Sequence, residues 1–337
     1  MPQQEPDERR AAEGAIDSSR PTGEGTVYKK LQGYYCVNAG GRSLLCTISS
    51  TLRKNLEYPV AAPWSLRPRV VAVHKIRAVD PVAIGDIVRF TDSGDDTGMI
   101  VEVLPRRNSL VRRAAGRKML QQVIVVNVDQ VVVVFAATRP APNWEALDRY
   151  LAAAESTGLP ARVVITKMDL VEVAKVEAET GTYRRAGYPV LLTSAAGGVG
   201  IEAFREALHG RASVIAGPSG VGKTSLLNAI QPGLGLRVGE VSKHTNKGMH
   251  TTSHLEMFPL DGGGSVVDTP GMRELGLWDV EPEEIDGLFP EMRPYLGFCR
   301  FRLDCSHTHE PGCAVKEAVA RGAISERRYR SCLSMKE

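Results

Sequence analysis

The stretch GPSGVGKT at residues 217–224 constrains this chain more than any other segment in it. It satisfies G-x-x-x-x-G-K-[ST] in full, through Gly217, Gly222, Lys223 and Thr224. An apolar run, Ala212 to Ala216, precedes it and SLLNAI follows, so the motif lies between a strand and a helix. Glycines there let backbone N–H groups close around phosphate oxygens, helped by the N-terminus of the next helix. Pro218, Ser219, Gly220 and Val221 complete the cradle. Lys223 reaches the β- and γ-phosphates, and the Thr224 hydroxyl faces Mg²⁺. A nucleoside triphosphate site of this kind implies a parallel sheet with helices packed on it.

Downstream, VVDTPG ends an apolar run at Asp268. A carboxylate there holds Mg²⁺ through water, and the Gly271 N–H meets the γ-phosphate. Between the two lies KHTNKGMHTTSHLEM (243–257), where a first switch belongs. Thr251 or Thr252 completes the Mg²⁺ shell when the γ-phosphate is present. The base reader comes earlier: TKMD, Thr166, Lys167, Met168 and Asp169, closes ARVVITKMDL. Guanine presents N1–H and an exocyclic amine side by side, and one carboxylate accepts from both. Adenine offers an acceptor at N1, which Asp169 repels, so a polar pocket of this kind discriminates by roughly four orders of magnitude. Lys167 lays its stem along the base. In LLTSAAGG, Ser194 and Ala195 offer backbone to guanine O6. Thr166 stands where asparagine is usual, and without an amide it is expected to brace the phosphate loop less firmly. The order is base reader, phosphate loop, Mg²⁺ aspartate, whereas ordinary GTPases put the phosphate loop first and the base reader last.

Around this centre the chain of 337 residues has room for two or three domains. The polar start, residues 1–24, has no apolar core of a secretory signal and reads as a disordered tail. No apolar run approaches the roughly 20 residues needed to span a bilayer, so no membrane partner is expected and the chain is placed in the cytoplasm. Residues 25–115 show short β-like runs with NAGG and SGDDTG turns, which suit an OB-fold barrel; a small sandwich gives a similar pattern. Residues 116–280 alternate apolar strands, including QVIVVNVDQVVVVFAAT, with helical stretches, as in an α/β domain. Residues 281–337 form a small, helical, basic end. A net charge of +3 says little. Each of the basic runs at 105–118, 293–302 and 325–337 is better read singly as solvated surface, and several together raise the odds of a polyanionic partner. Arg106, Arg107, Arg112 and Arg113 lie near the end of the barrel. Tyr34 and Tyr35 either stack on bases or pack in a core, and packing is the commoner fate for paired strand tyrosines.

Six cysteines in a chain with no export signal do not suggest a disulfide framework. Cys36, Cys46 and Cys332 read as small core or surface thiols. CRFRLDCSHTHEPGC supplies Cys299, Cys305, His307 and Cys313, a closed tetrahedral set for one structural Zn²⁺. His309 competes with His307 for the imidazole position.

Taken together, these motifs resemble the circularly permuted GTPases, and specifically the RsgA (YjeQ-type) family that depends on the small ribosomal subunit. The likeness covers nearly the whole chain after the tail. It includes the β-rich front, PNWEALDRYLAAAE, the permuted motifs, the HTT segment and the cysteine-rich end. It implies a monomeric GTPase, binding GTP and GDP, that engages the small ribosomal subunit and its rRNA during late assembly, with slow turnover stimulated by that subunit. Met272 follows Gly271 where many GTPases carry a water-orienting glutamine, and a thioether cannot orient water by hydrogen bonding. The resemblance assigns that task to a first-switch histidine, matched here by His250, with His244 and His254 nearby. Its cysteine pattern, C-x4-C-x-H-x5-C, is met from Cys305 onward; before it stands one extra residue, taken as Leu303. Two rivals remain at this level. A phosphate-loop ATPase or small-molecule kinase is disfavoured by Asp169, and the other is an RNA-binding zinc protein that binds nucleotide but barely hydrolyses it.

Overall fold

A computed structural model describes residues 22–31, 33–54, 60–61, 70–72, 81–113, 121–234, 256–268 and 280–337. The chain divides into two compact units, the first running to Arg107 and resuming up to Val126, the second taking Asn108–Arg113 and everything from Asn127.

In the first unit, alternation of side chains between two faces builds the five strands of a barrel. They are β1 (Thr22–Leu31), β2 (Tyr34–Ala39), β3 (Arg42–Ile48), β4 (Ile87–Asp92) and β5 (Thr97–Val103). β1 pairs with β2, β2 with β3 and β4 with β5, all antiparallel, while β3 and β5 run parallel. β4 returns to β1 and closes the order 1-2-3-5-4 into a barrel. Closure removes the open edges that a sandwich would keep, and this is the OB-fold arrangement. β1 serves two neighbours because its first half is glycine-rich. A Cβ on Gly25 would stand 2.7 Å from the Asn38 carbonyl oxygen. The strand therefore begins at Thr22, inside the segment read as tail; residues 1–21 of that tail lie outside the described residues.

The barrel interior holds Val27, Val37, Leu44, Cys46, Val88, Phe90 and Ile100. Tyr35 joins this core, whereas Tyr34 is 46% exposed. Arg106 does not belong to a free basic surface. Its guanidinium grips the fully buried Asp86 with two bonds of 2.7 Å.

The second unit is built on β6 (Gln130–Ala136), β7 (Ala161–Thr166), β8 (Val190–Leu192), β9 (Ala212–Ala216), β10 (Glu256–Pro259) and β11 (Ser265–Asp268). Between them run α1 (Trp144–Glu155), α2 (Val173–Arg185), α3 (Ile201–Leu208) and α4 (Lys223–Ile230). The sheet order is β8-β7-β6-β9-β11-β10, with every pairing parallel except β10 against β11. Every residue of β6 is buried, as a central strand covered on both faces requires. The apolar run read as one stretch is broken at Asn127, which adopts φ 57°. The Asn108 side chain brackets this turn, accepting from the Val128 N–H at 3.0 Å and donating to its carbonyl at 2.8 Å. Residues 121–126 accordingly fall in the first unit and β6 in the second.

The chain ends in α5 (Ala314–Ala320) and α6 (Glu326–Lys336), preceded by 3-10 turns at Pro282–Leu288, Arg293–Tyr295 and Arg302–Asp304. Ile285, Phe289, Met292, Val315, Ala318 and Ile324 pack with Ala152 of α1. Beneath them Arg328, 1% exposed, donates to Asp148 of α1 at 2.9 Å and to both carboxylate oxygens of Glu291. Arg327 also reaches Asp148, at 3.0 Å, and Lys336 reaches Asp286 at 2.6 Å. Much of the C-terminal basic run is thus neutralised inside the unit. Among the described residues no helix is long and apolar enough to cross a membrane.

Candidate nucleotide site and metal cluster

Parallel strands present their carboxyl ends along one edge, and ligands of open α/β sheets bind there. β7 delivers Thr166–Asp169 to that edge, β8 delivers Thr193–Ala195, β9 delivers the phosphate loop and β11 delivers Asp268. Gly217, Gly220 and Gly222 adopt φ of 143°, 77° and 95°, a backbone conformation that other residues adopt only with strain. A Cβ on Gly217 would lie 2.1 Å from the Val134 carbonyl oxygen, which leaves glycine alone at that position. α4 opens directly on Lys223 and Thr224. The Lys223 ammonium is drawn back over the loop, donating to the Gly217 and Pro218 carbonyls at 2.8 Å each.

The base-reading peptide touches this loop. The Thr166 hydroxyl, on a buried residue, donates to the Val221 carbonyl, with the Phe135 carbonyl 3.3 Å away. The bracing expected to suffer from the missing amide is supplied by a hydroxyl, which reaches the loop backbone directly. Lys167, held at φ 60°, donates to the Gly220 carbonyl at 2.7 Å and to the Arg139 carbonyl. Burial lowers its pKa against a smaller raising effect of Asp169. Met168 is buried, and its N–H donates to the Thr193 carbonyl at 3.1 Å. Asp169 is exposed and accepts a 2.5 Å bond from the Ser194 hydroxyl, which itself accepts from the Gly197 N–H at 2.9 Å. Sequence reasoning had used only the backbone of Ser194 and missed its hydroxyl as the group that aims the carboxylate. A serine 25 residues away in sequence carries no such signal.

Thr166→Val tests the brace. Losing one neutral hydrogen bond costs about 1 kcal/mol, so GTP affinity in an equilibrium titration is expected to fall roughly fivefold. An unchanged affinity would remove Thr166 from the loop's support. His250, Thr251, Thr252, Gly271 and Met272 lie outside the described residues, as do His244 and His254.

The second cluster gathers Cys299, Cys305, His307 and Cys313, whose ligand atoms all lie within 4.8 Å of one another and are all buried. The Cys299 and Cys313 sulfurs stand 3.8 Å apart, and His307 Nδ1 is 3.5 Å and 3.3 Å from them. Bonds of about 2.3 Å to a tetrahedral centre imply S–S edges of about 3.8 Å. This set could hold a metal ion. The extra residue before Cys305 is absorbed in the Arg302–Asp304 turn, which Arg302 enters at φ 50°. His309 is exposed and bonds Thr308, outside the cluster.

Burial pushes the Cys305 thiol up to about 12 and raises Cys313, while it lowers His307. A dication inverts that balance by favouring thiolate and neutral imidazole. His307 Nε2 faces Asp286 at 3.4 Å, an outer partner that fixes which ring nitrogen turns inward. Glu310 accepts from the Ser306 hydroxyl and N–H, which holds its carboxyl down at about 2 and ties the turn between ligands.

With the base reader ahead of the phosphate loop in sequence yet beside it in space, the second unit has the architecture of a circularly permuted GTPase. The family model for RsgA GTPase matches residues 103–278, and the chain belongs to that family. It is 46% identical over 266 residues to the small ribosomal subunit biogenesis GTPase RsgA of Gemmatimonas aurantiaca, covering 78% of this chain and 86% of that protein. The RsgA of Phocaeicola vulgatus is 35% identical over 318 residues, 93% of this chain and 96% of that one. Among solved structures, YjeQ from Thermotoga maritima superposes with a TM-score of 0.73 at 34% identity, covering 94% of this chain and 98% of its own. YloQ, described as a circularly permuted GTPase, gives a TM-score of 0.68 at 30% identity and 96% coverage of each chain.

Proposed function

We propose that this chain binds the small ribosomal subunit and hydrolyses GTP there during late subunit maturation. The observation that carries the reading is the direct bonding of Thr166 and Lys167 to the phosphate loop, which makes one pocket from two separated peptides. The names of the relatives, small ribosomal subunit biogenesis GTPases, support the partner. In this reading Asp169 accepts from guanine, with Ser194 and Ala195 beside O6. The amides of 217–224 and the Lys223 ammonium hold the phosphates. Lys223 then leaves the Gly217 and Pro218 carbonyls for the phosphate oxygens, exchanging neutral acceptors for charged ones.

Thr224, Asp268 and Thr251 or Thr252 would hold Mg²⁺, which would neutralise charge on the β- and γ-phosphates when bound. His250 orients the attacking water, and Gly271 meets the γ-phosphate. Cys299, Cys305, His307 and Cys313 would hold one structural Zn²⁺, since three thiolates and an imidazole leave no open position. The domain division proposed with this function is a barrel at 25–115 and a zinc module at 281–337 flanking the GTPase at 116–280, in a cytoplasmic monomer.

The test is phosphate release from GTP by the purified chain, alone and with small or large ribosomal subunits. Stimulation by small subunits alone is expected; equal rates in all three conditions would end the proposal. A separate expectation concerns the cluster: Cys313→Ser loses its stoichiometric zinc, measured by elemental analysis, while GTP affinity changes less than about threefold, because the two sites share no residue. Full zinc content in that variant would retire the ligand set.

A further inference from the structure

At the end of the sheet opposite the nucleotide loops, the amino ends of β6, β7 and β8 and the residue before β9 surround a cavity of about 530 Å³. Its wall carries three arginines, Arg162, Arg211 and Arg293, and two carboxylates, Asp129 and Glu155. Both carboxylates are engaged. Glu155 accepts from Arg293 at 2.5 Å, and Asp129 accepts from the Ala212 N–H at 2.8 Å.

Arg162 and Arg211 are in a different position. Among the described residues neither forms an ion pair with a carboxylate. The Nε of Arg162 is buried with no hydrogen-bond partner. Among the described residues the Arg211 side chain makes only a long bond, 3.4 Å, to the Ala207 carbonyl. Burial and then the neighbouring Arg211 charge lower the Arg162 pKa, with no carboxylate opposing them. A guanidinium nonetheless stays charged at any physiological pH. Two like charges thus face one recess, one of them with a desolvated donor unmet, which is unfavourable until something accepts from it. A pair of this kind is satisfied by an oxyanion, which accepts from a guanidinium fork and cancels the repulsion in one step.

We propose that this cavity is a binding site for a small phosphate-class anion, held by Arg162 and Arg211. The site is separate from the phosphate loop, which lies at the other ends of the same strands. A recess walled by strand ends and side chains suits a compact phosphoryl group, free or at the end of a small metabolite. A continuous nucleic-acid backbone would need an open groove to pass along.

The experiment uses the full chain saturated with GDP and Mg²⁺, so that the phosphate loop is already filled, and titrates it with inorganic phosphate. Calorimetry and the melting temperature are the readouts. One saturable phosphate per chain is expected, with a rise in melting temperature. Arg162→Gln and Arg211→Gln should each weaken phosphate at least about tenfold, the loss of a charge-assisted bond, while GDP affinity stays unchanged. Arg211 is exposed, so its variant keeps the fold even if Arg162→Gln does not. Phosphate binding that never saturates, or that survives in Arg211→Gln, overturns the site. A short single-stranded RNA that displaces phosphate from the parent, binds more tightly and loses that advantage in both variants overturns the small-anion reading in favour of RNA.

Discussion

Asp169→Asn is expected to lower GTP affinity by about four orders of magnitude and to create affinity for xanthosine triphosphate. The carboxylate has two acceptor oxygens for the N1–H and the exocyclic amine of guanine. An asparagine turns one of them into a donor, which meets the amine donor-to-donor and leaves both unpaired. Xanthine carries a carbonyl at that place and restores the pair. The geometry favours a clean outcome because Ser194 donates to Oδ1 at 2.5 Å, an acceptor role that an amide oxygen also fills. The substitution therefore changes recognition with little change in packing, at a residue that is already exposed. Equilibrium titrations with GTP, xanthosine triphosphate and ATP decide the matter. A variant that holds GTP as tightly as its parent would end the assignment of Asp169 to the base.

The second large effect concerns the latch between α6 and α1. Arg328→Ala is expected to destabilise the chain by about 3–5 kcal/mol, the cost of removing one member of a buried ionic set. Asp148 is fully buried and Arg328 nearly so, and Glu291 gives the guanidinium a two-oxygen partner. The guanidinium also lies 4.6 Å from the Phe289 ring centroid and 5.5 Å from that of Tyr183. Alanine strands two carboxylates in a site with little water and opens a cavity among those rings. Arg327 and the Tyr183 hydroxyl still reach Asp148, which keeps the loss finite. Denaturant unfolding of the GDP-bound chain measures it. A loss no larger than the roughly 1 kcal/mol of a surface pair would show that apolar contacts alone hold α6. With the C-terminal end loosened, the distance between cysteine cluster and GTPase sheet is no longer set by the fold, so the proposed stimulation by small subunits should suffer more than hydrolysis by the chain alone. Equal losses in both would separate the latch from the response to the partner.

Some of this was readable from residue order because it depends on local backbone. The phosphate loop announces itself through glycines at positions that need positive φ or close approach, Gly217 above all. The barrel strands follow from period-two patterning, and the metal donors from short-range spacing around Cys305. Other features needed the folded chain. The hydroxyl of Thr166 substitutes for an amide only because Val221 lies against it from 55 residues away. The same dependence on distance made the basic runs misleading. Arg106, Arg327 and Arg328 read as surface for a polyanion, yet each has its carboxylate inside the fold.

The amino-acid sequence by itself determined the chemistry available to this chain: which peptide offers a glycine-rich loop and a lysine, which offers a carboxylate after a strand, which four side chains suit a metal, and in what order they come. Only the tertiary structure decided which of those groups meet, and which charges are spent on one another before any ligand arrives. The physical reason is that motifs are written in contiguous backbone conformation, whereas ion pairs and braces depend on distances across the sheet that no local pattern encodes.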